Sequence, residues 1–301
     1  MVSRRRILKM GAAVGVTSTI GLAGCLSSLT GGGASQVEEW LVDPRNLAGA
    51  PDQYPVMSLS PSTLDEYSTS FSRDDWGRIR DSFEYDFTRF YADELDRVTT
   101  GGWSDGFNVI VGDIDAEELD DDLRQEGLRS RGEYDGFELY EHSDERWAAG
   151  VIDGTVVIAH DRREENPVVV VEDIIDTNNG ERRDYRDVDA DFDLLMDEAS
   201  IGDLFFAMVE EPTDETEPER GRFRNHVGIA NTVTLGEDDS TAELVLTFLD
   251  ERDPRERDIE DWTREADVFR FWRDIEIEID EEVARIEGEV PTRDLLDVSF
   301  L

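Results

Sequence analysis

From Phe269 to Val290 the chain alternates apolar and charged residues with a period of two. Phe269, Phe271, Ile275, Ile277 and Ile279 are set against Arg270, Asp274, Glu276 and Glu278; Ala284, Ile286 and Val290 follow against Arg285, Glu287 and Glu289. A period of two describes a strand with one wet face, and two such runs in succession predict an antiparallel pair. This pattern confines the chain to architectures built on half-exposed antiparallel strands. Asp135-Gly136 and Asp153-Gly154 each sit between apolar runs, the strongest short-range signal for a two-residue hairpin. Further strands are expected at Tyr54–Ser60, Asp96–Thr100, Phe107–Gly112, Trp147–Ile152, Thr155–Ala159, Asp203–Val209, Val227–Leu235 and Ala242–Leu249.

Helices are expected where the period lengthens. Ala116–Gln125 has Asp115 as N-cap, Glu117 and Glu118 in its first turn, and Leu119 and Leu123 four apart. Arg73–Phe83 is a second helix, and Ile259, Trp262 and Ala266 share one face of a third that starts after Asp253-Pro254. Four valines leave Val168–Ile175 open between buried strand and helix. Asn166-Pro167 as cap and first residue, with Asn179-Gly180 as a stop, decides for helix. The class predicted is α+β: antiparallel sheets packed with helices, with a twofold repetition of an α/β unit suggested by the order of elements. A first module is expected over 54–210 and a second, packed on it, over 211–301.

Ahead of these modules, Ser3-Arg4-Arg5-Arg6-Ile7-Leu8-Lys9 resembles a twin-arginine export signal, with Arg4 and Arg5 as its pair. The apolar stretch Met10–Gly24 has fifteen residues, four of them glycine. A spanning helix needs about 20 apolar residues, so residues 1–24 read as a cleaved signal peptide. Leu22-Ala23-Gly24-Cys25 resembles a lipobox, which makes Cys25, the sole cysteine, the expected site of lipidation. Glycine, serine and proline punctuate residues 25–53, which read as a flexible tether.

The charge balance narrows the partners. Against 74 acidic residues stand 30 basic ones, and Lys9 is the only lysine. Removing residues 1–24 takes away Arg4, Arg5, Arg6 and Lys9 and no acid, so the net charge falls from −44 to −48. A disordered acidic chain would lack aromatics, whereas this one has 6 Trp, 7 Tyr and 14 Phe and clear strand alternation. A folded domain working in concentrated salt fits better, because at about 1 M the Debye length falls to ~3 Å. No nucleic-acid partner is expected, since no basic stripe remains to meet phosphates. Cations are expected to associate loosely with such a surface.

Motifs that carry chemistry are sparse. Gly102-Trp103-Ser104-Asp105-Gly106 matches G-x-S-x-G, but a nucleophile elbow follows a strand and opens a helix, and here a strand follows. His142, His160 and His226 lie in no metal-ligand spacing. Asp189-Ala190-Asp191-Phe192-Asp193 begins like a calcium loop, yet Leu194 stands where glycine is required and Ser200 where glutamate is. Asp113, Asp115, Glu117, Glu118 and Asp120–Asp122 could gather a hard cation at one helix start, but in so acidic a chain such clusters arise by chance, and capping explains Asp115. No phosphate-binding glycine loop occurs. No catalytic, cofactor or metal residue is therefore expected.

The signal and lipobox, Val111-Gly112-Asp113-Ile114-Asp115 before an acidic helix, Tyr134-Asp135-Gly136-Phe137-Glu138-Leu139-Tyr140, and Val151-Ile152-Asp153-Gly154 together resemble a family of haloarchaeal twin-arginine-exported lipoproteins whose chemistry is unassigned. The resemblance implies a location at the outer face of the cytoplasmic membrane, anchored through lipid on Cys25, and carries over no catalytic residue. The function expected is a non-enzymatic binding or interaction module for a protein or small solute. The alternatives are the solute-binding subunit of an importer and an exported hydrolase.

Overall fold

The computed structural model describes residues 35–47, 51–81, 88, 90–102, 106–142, 146–160 and 166–297. After a short helix α1 (Ser35–Glu38), the chain enters a sheet at β1 (Val56–Leu59). It passes over helices α2 (Pro61–Glu66) and α3 (Arg73–Asp81) into β2 (Leu95–Gly101) and β3 (Phe107–Gly112). Helix α4 (Ala116–Gln125) then carries it to an outer edge strand, β4 (Leu128–Tyr134). From there β5 (Phe137–His142), β6 (Trp147–Ile152) and β7 (Thr155–His160) step back inward until β7 pairs with β3. Three helices follow: α5 (Pro167–Asn178), α6 (Tyr185–Val188) and α7 (Ala190–Glu198). A second meander comprises β8 (Leu204–Val209), β9 (His226–Thr234) and β10 (Asp239–Phe248). Helix α8 (Glu256–Glu265) leads from it to the opposite edge strand, β11 (Arg273–Asp280), and β12 (Val283–Pro291) returns to pair with β10.

The result is one twelve-stranded antiparallel sheet in the order β11-β12-β10-β9-β8-β1-β2-β3-β7-β6-β5-β4. The expected α+β class is what the chain adopts. Its topology repeats. Each half runs through a three-strand meander, a helix, an edge strand, and a return to the meander's last strand, by four strands in the first half and two in the second. The first strands of the two halves meet at the centre, β1 against β8, with Val56 opposite Ala207 and Leu59 opposite Leu204. An antiparallel pair carries a local two-fold axis, so the halves are related about that junction.

Local chemistry explains the elements. Asp115 caps α4 by accepting from the N–H groups of Glu117 at 2.9 Å and Glu118 at 3.2 Å. Asn166 accepts from Val168 N–H at 3.1 Å, and Pro167 at the first position sets α5 going despite four valines. At Asp135-Gly136 both residues take positive φ, 47° and 87°. That is the type I′ turn a tight hairpin requires, and glycine adopts it without strain.

Alternation along the strands makes two apolar faces. On the first, Val56, Val109, Val111, Ala148, Val157, Phe205, Ala207, Ala230 and Val245 pack under α5 and α7. The second face carries two cores. One gathers around α8 through Ile259 and Trp262, and the other around α4 through Leu119 and Leu123. Leu59 with Trp76 and Ile79 of α3 packs against both, and so covers the seam between the halves.

Two expectations about organisation are corrected. Residues 35–47, within the span read as tether, belong to the first-face core: Val37, Leu41 and Val42 are 0 % exposed, and Trp40 and Leu47 are buried. Tyr54 donates its hydroxyl to the Val42 carbonyl at 2.7 Å, and Tyr185 N–H donates to the Leu41 carbonyl at 2.7 Å. The Asp43-Pro44 breaker is a capped turn, with Asp43 accepting from Arg45 N–H at 3.0 Å. The module boundary expected at 210 falls between β8 and β9, which are hydrogen-bonded neighbours. By topology β8 opens the second half, and all the described residues belong to one compact unit. Helix α7 is a further element that turn-like aspartates concealed. Asp189, the first residue of the supposed calcium loop, caps it by accepting from Asp191 and Phe192 N–H at 2.9 and 3.0 Å.

Candidate ligand-binding groove

A short turn at Ala92–Glu94 feeds the chain into β2, and it positions the most exposed aromatic side chain among the described residues. Phe90 and Ala92 anchor the turn in the α4 core, whereas Tyr91 between them is 60 % exposed. A cleft opens on each side of it. One, of about 390 Å³, is lined by Tyr91, Phe90, Asp93, Asp65 of α2, and Trp76 and Arg80 of α3. Trp76 and Arg80 are four apart, so one helix face presents both. The other cleft, of about 340 Å³, runs from Phe90 and Tyr91 along the start of α4, with Ile114 and Leu119 below and Glu94, Asp113, Asp115, Glu118 and Asp122 around it. The first cleft combines aromatic surface with a few polar groups, the usual make-up of a small-ligand site, whereas carboxylates dominate the second.

Several of these carboxylates already have partners. Asp115 is the α4 cap, and Asp122 accepts from the Thr88 hydroxyl at 2.9 Å. Nearby Asp120 bonds Arg124 at 2.6 Å and the Tyr140 hydroxyl, which together hold its carboxyl below the usual range, the tyrosine first. Among the described residues no three His, Cys, Asp or Glu side chains converge to hold a metal ion. A third cleft, of about 460 Å³, lies on the other half beside Ser70, Asp239, Arg273 and Arg293. Its two arginines are engaged with neighbouring carboxylates: Arg273 with Asp239, and Arg293 with Asp294 at 3.5 Å.

The residues singled out in the sequence fall as follows. Arg4, Arg5, Cys25 and Ser104 lie outside the described residues. Gly102 and Gly106, the ends of the G-x-S-x-G run, lie after β2 and before β3, so a strand and not a helix follows it. His160 N–H donates to the Gly106 carbonyl at 3.0 Å, which sets Gly106 beside the end of β7. His142 and His160 flank Trp147, with ring centroids 5.9 and 6.4 Å from it. His226 stands apart at the start of β9, 6 % exposed and edged by Phe223 and Phe248. Burial pushes its pKa down to about 4, against a weaker opposing hydrogen bond with the Gly228 backbone. The Tyr91 grooves were not legible in the sequence, because they assemble residues from 65 to 122. The one local clue is an aromatic pair, Phe90-Tyr91, standing directly before the acids of a turn.

No known family model matches the chain, and no curated protein does. Among solved structures it is similar to crystal form III of TP0453, with a TM-score of 0.50 and 9 % sequence identity over 85 % of this chain and 96 % of that one. Crystal forms I and IV of the same protein align with TM-scores of 0.48 at 11 % identity. At such identities the likeness to crystal form III is one of fold, and the chain shares with that protein its mixed helix-and-sheet architecture.

Proposed function

We propose that this chain is a non-enzymatic binding module. It is exported through its Arg4-Arg5 signal and held at the outer face of the cytoplasmic membrane by lipid on Cys25. Its acidic surface keeps it soluble in concentrated salt, with cations loosely associated. The observation that carries the binding role is the pair of clefts meeting at Tyr91, where an aromatic side chain is left exposed over a buried anchor. Exposing an aromatic ring forfeits apolar burial, and a ligand seated beside it recovers that burial. The importer reading has less support, because one antiparallel sheet replaces the two alternating strand-helix lobes of such proteins. The hydrolase reading has less as well, since a strand and not a helix follows its serine motif.

A thermal-shift panel of amino acids, sugars, peptides, amines and metal ions tests the binding role, run on the full chain and on Tyr91→Ala in molar KCl. A ligand at 100 times its dissociation constant stabilises by about 2.7 kcal/mol. A shift that Tyr91→Ala removes supports the reading. No shift at all, or one that the variant leaves intact, overturns the groove as the site. Fractionation of cells carrying Cys25→Ser tests the tether: retention in the membrane with unchanged mass refutes it.

A further inference from the structure

Resting on the reading of the Tyr91 clefts as the ligand site, we infer that they take a compact organic cation, an ammonium group clothed in methyl or methylene carbons. Four features of the clefts select that chemistry. The rings supply the first: Tyr91 is exposed and Trp76 only partly covered, and both line the same cleft. A ring face is electron-rich and attracts a cation held against it. The second is charge. Asp65 and Asp93 flank the rings in one cleft, and Glu94 and Glu118 extend the negative wall into the other. Among the described residues the only guanidinium lining either cleft is that of Arg80, which pairs with Asp81 at 3.4 Å. An anion is repelled by that wall.

The third feature separates an organic cation from a metal ion. A hard cation demands several oxygens converging within bonding distance, and among the described residues no such set exists. Charges set apart around apolar surface suit a diffuse, weakly hydrated cation instead. The fourth concerns salt. Carboxylates alone would be screened in molar KCl, and potassium would compete for them. Contact between methyl groups and a ring survives screening, and strongly hydrated potassium gains little from it. The aromatic face therefore supplies the selectivity, and the carboxylates the sign.

Choline and its uncharged carbon isostere 3,3-dimethylbutan-1-ol share size and shape, and each gives a nine-proton methyl signal. Saturation-transfer NMR on the full chain in detergent at 2 M KCl measures both. Choline is expected to bind about fivefold tighter than the isostere, the factor one ring–cation contact supplies. Tyr91→Phe retains that preference. Tyr91→Leu, which keeps apolar bulk at an exposed position and so leaves the fold intact, reduces it to what Trp76 and the carboxylates still supply, and Asp93→Asn weakens choline while leaving the isostere unchanged. Equal binding of the two compounds, or a choline preference that Tyr91→Leu leaves undiminished, overturns the inference. If choline fails while a sugar or peptide gives a thermal shift that Tyr91→Ala removes, the cation inference falls and the binding module stands. If no compound responds, both fall.

Discussion

Replacing His226 by phenylalanine isolates one ionisation whose effect on stability follows from burial. The imidazole opens β9 with 6 % of its surface exposed, its ring 5.7 Å from Phe248 and 6.3 Å from Phe223. Its Nε2 has no hydrogen-bond partner, and the nearest carboxylate, Glu210, lies 3.9 Å from Nδ1. Burial strips the protonated ring of its water, and so the folded-state pKa drops to about 4, from an unfolded value of 6.5. The unfolded chain then binds a proton that the folded chain refuses. Stability from this group is complete above pH 6.5 and drains away as the pH falls toward 4. Applying linkage between pH 7 and pH 4.5, the loss is on the order of 2 kcal/mol.

Phenylalanine fits the same aromatic surroundings and carries no proton, so His226→Phe is expected to change stability at pH 7 by less than about 1.5 kcal/mol. Urea unfolding of both proteins in 2 M KCl at pH 7 and 4.5 measures the effect. Carboxylates such as Asp173, pushed up to about 6 chiefly by burial, titrate equally in the two proteins and cancel in the difference. The wild type is expected to lose roughly 2 kcal/mol more than the variant over this interval. Equal losses would refute the reasoning, because they would mean that the ring titrates alike in both states.

Three other outcomes are expected. Trp262→Ala empties a site bounded by Phe223 at 5.3 Å and Phe269 at 4.8 Å, and should cost about 3–5 kcal/mol by chemical denaturation; a loss under about 1 kcal/mol would show that the α8 core is not packed as described. Asp115→Ala removes two capping hydrogen bonds from α4 and should cost about 1 kcal/mol, whereas Asp115→Asn, which can still cap, should cost less than half of that; equal losses would mean that charge rather than capping is at work. Far-UV circular dichroism should show the fold strengthening from about 0.1 to 3 M KCl as screening relieves self-repulsion; a fully cooperative fold at the low end would dispose of the high-salt argument.

What could be read from the chain alone is what short-range chemistry decides. The Asp115 cap, the Asn166-Pro167 start, the Asp135-Gly136 turn and the period of two through Ile275–Val290 each depend on residues within a few positions of one another. Those signals were enough for the α+β class and most of its elements, and in the order of elements they hinted at a repeat. Long-range pairing had to be seen. Nothing in Val56–Leu59 says that its partner is Leu204–Ala207, so the sequence could not show that the two halves join in one sheet. The same holds for Val37–Val42, which between glycines and prolines looks like tether until the face beneath α5 and α7 claims its apolar side chains. The Tyr91 clefts are likewise a product of assembly. Asp65, Trp76 and Tyr91 lie far apart along the chain, and only the packing of α3 across the seam between the halves brings them together. Local free energies are written in neighbouring residues, but the burial that selects a tertiary partner is shared among residues that meet only after folding.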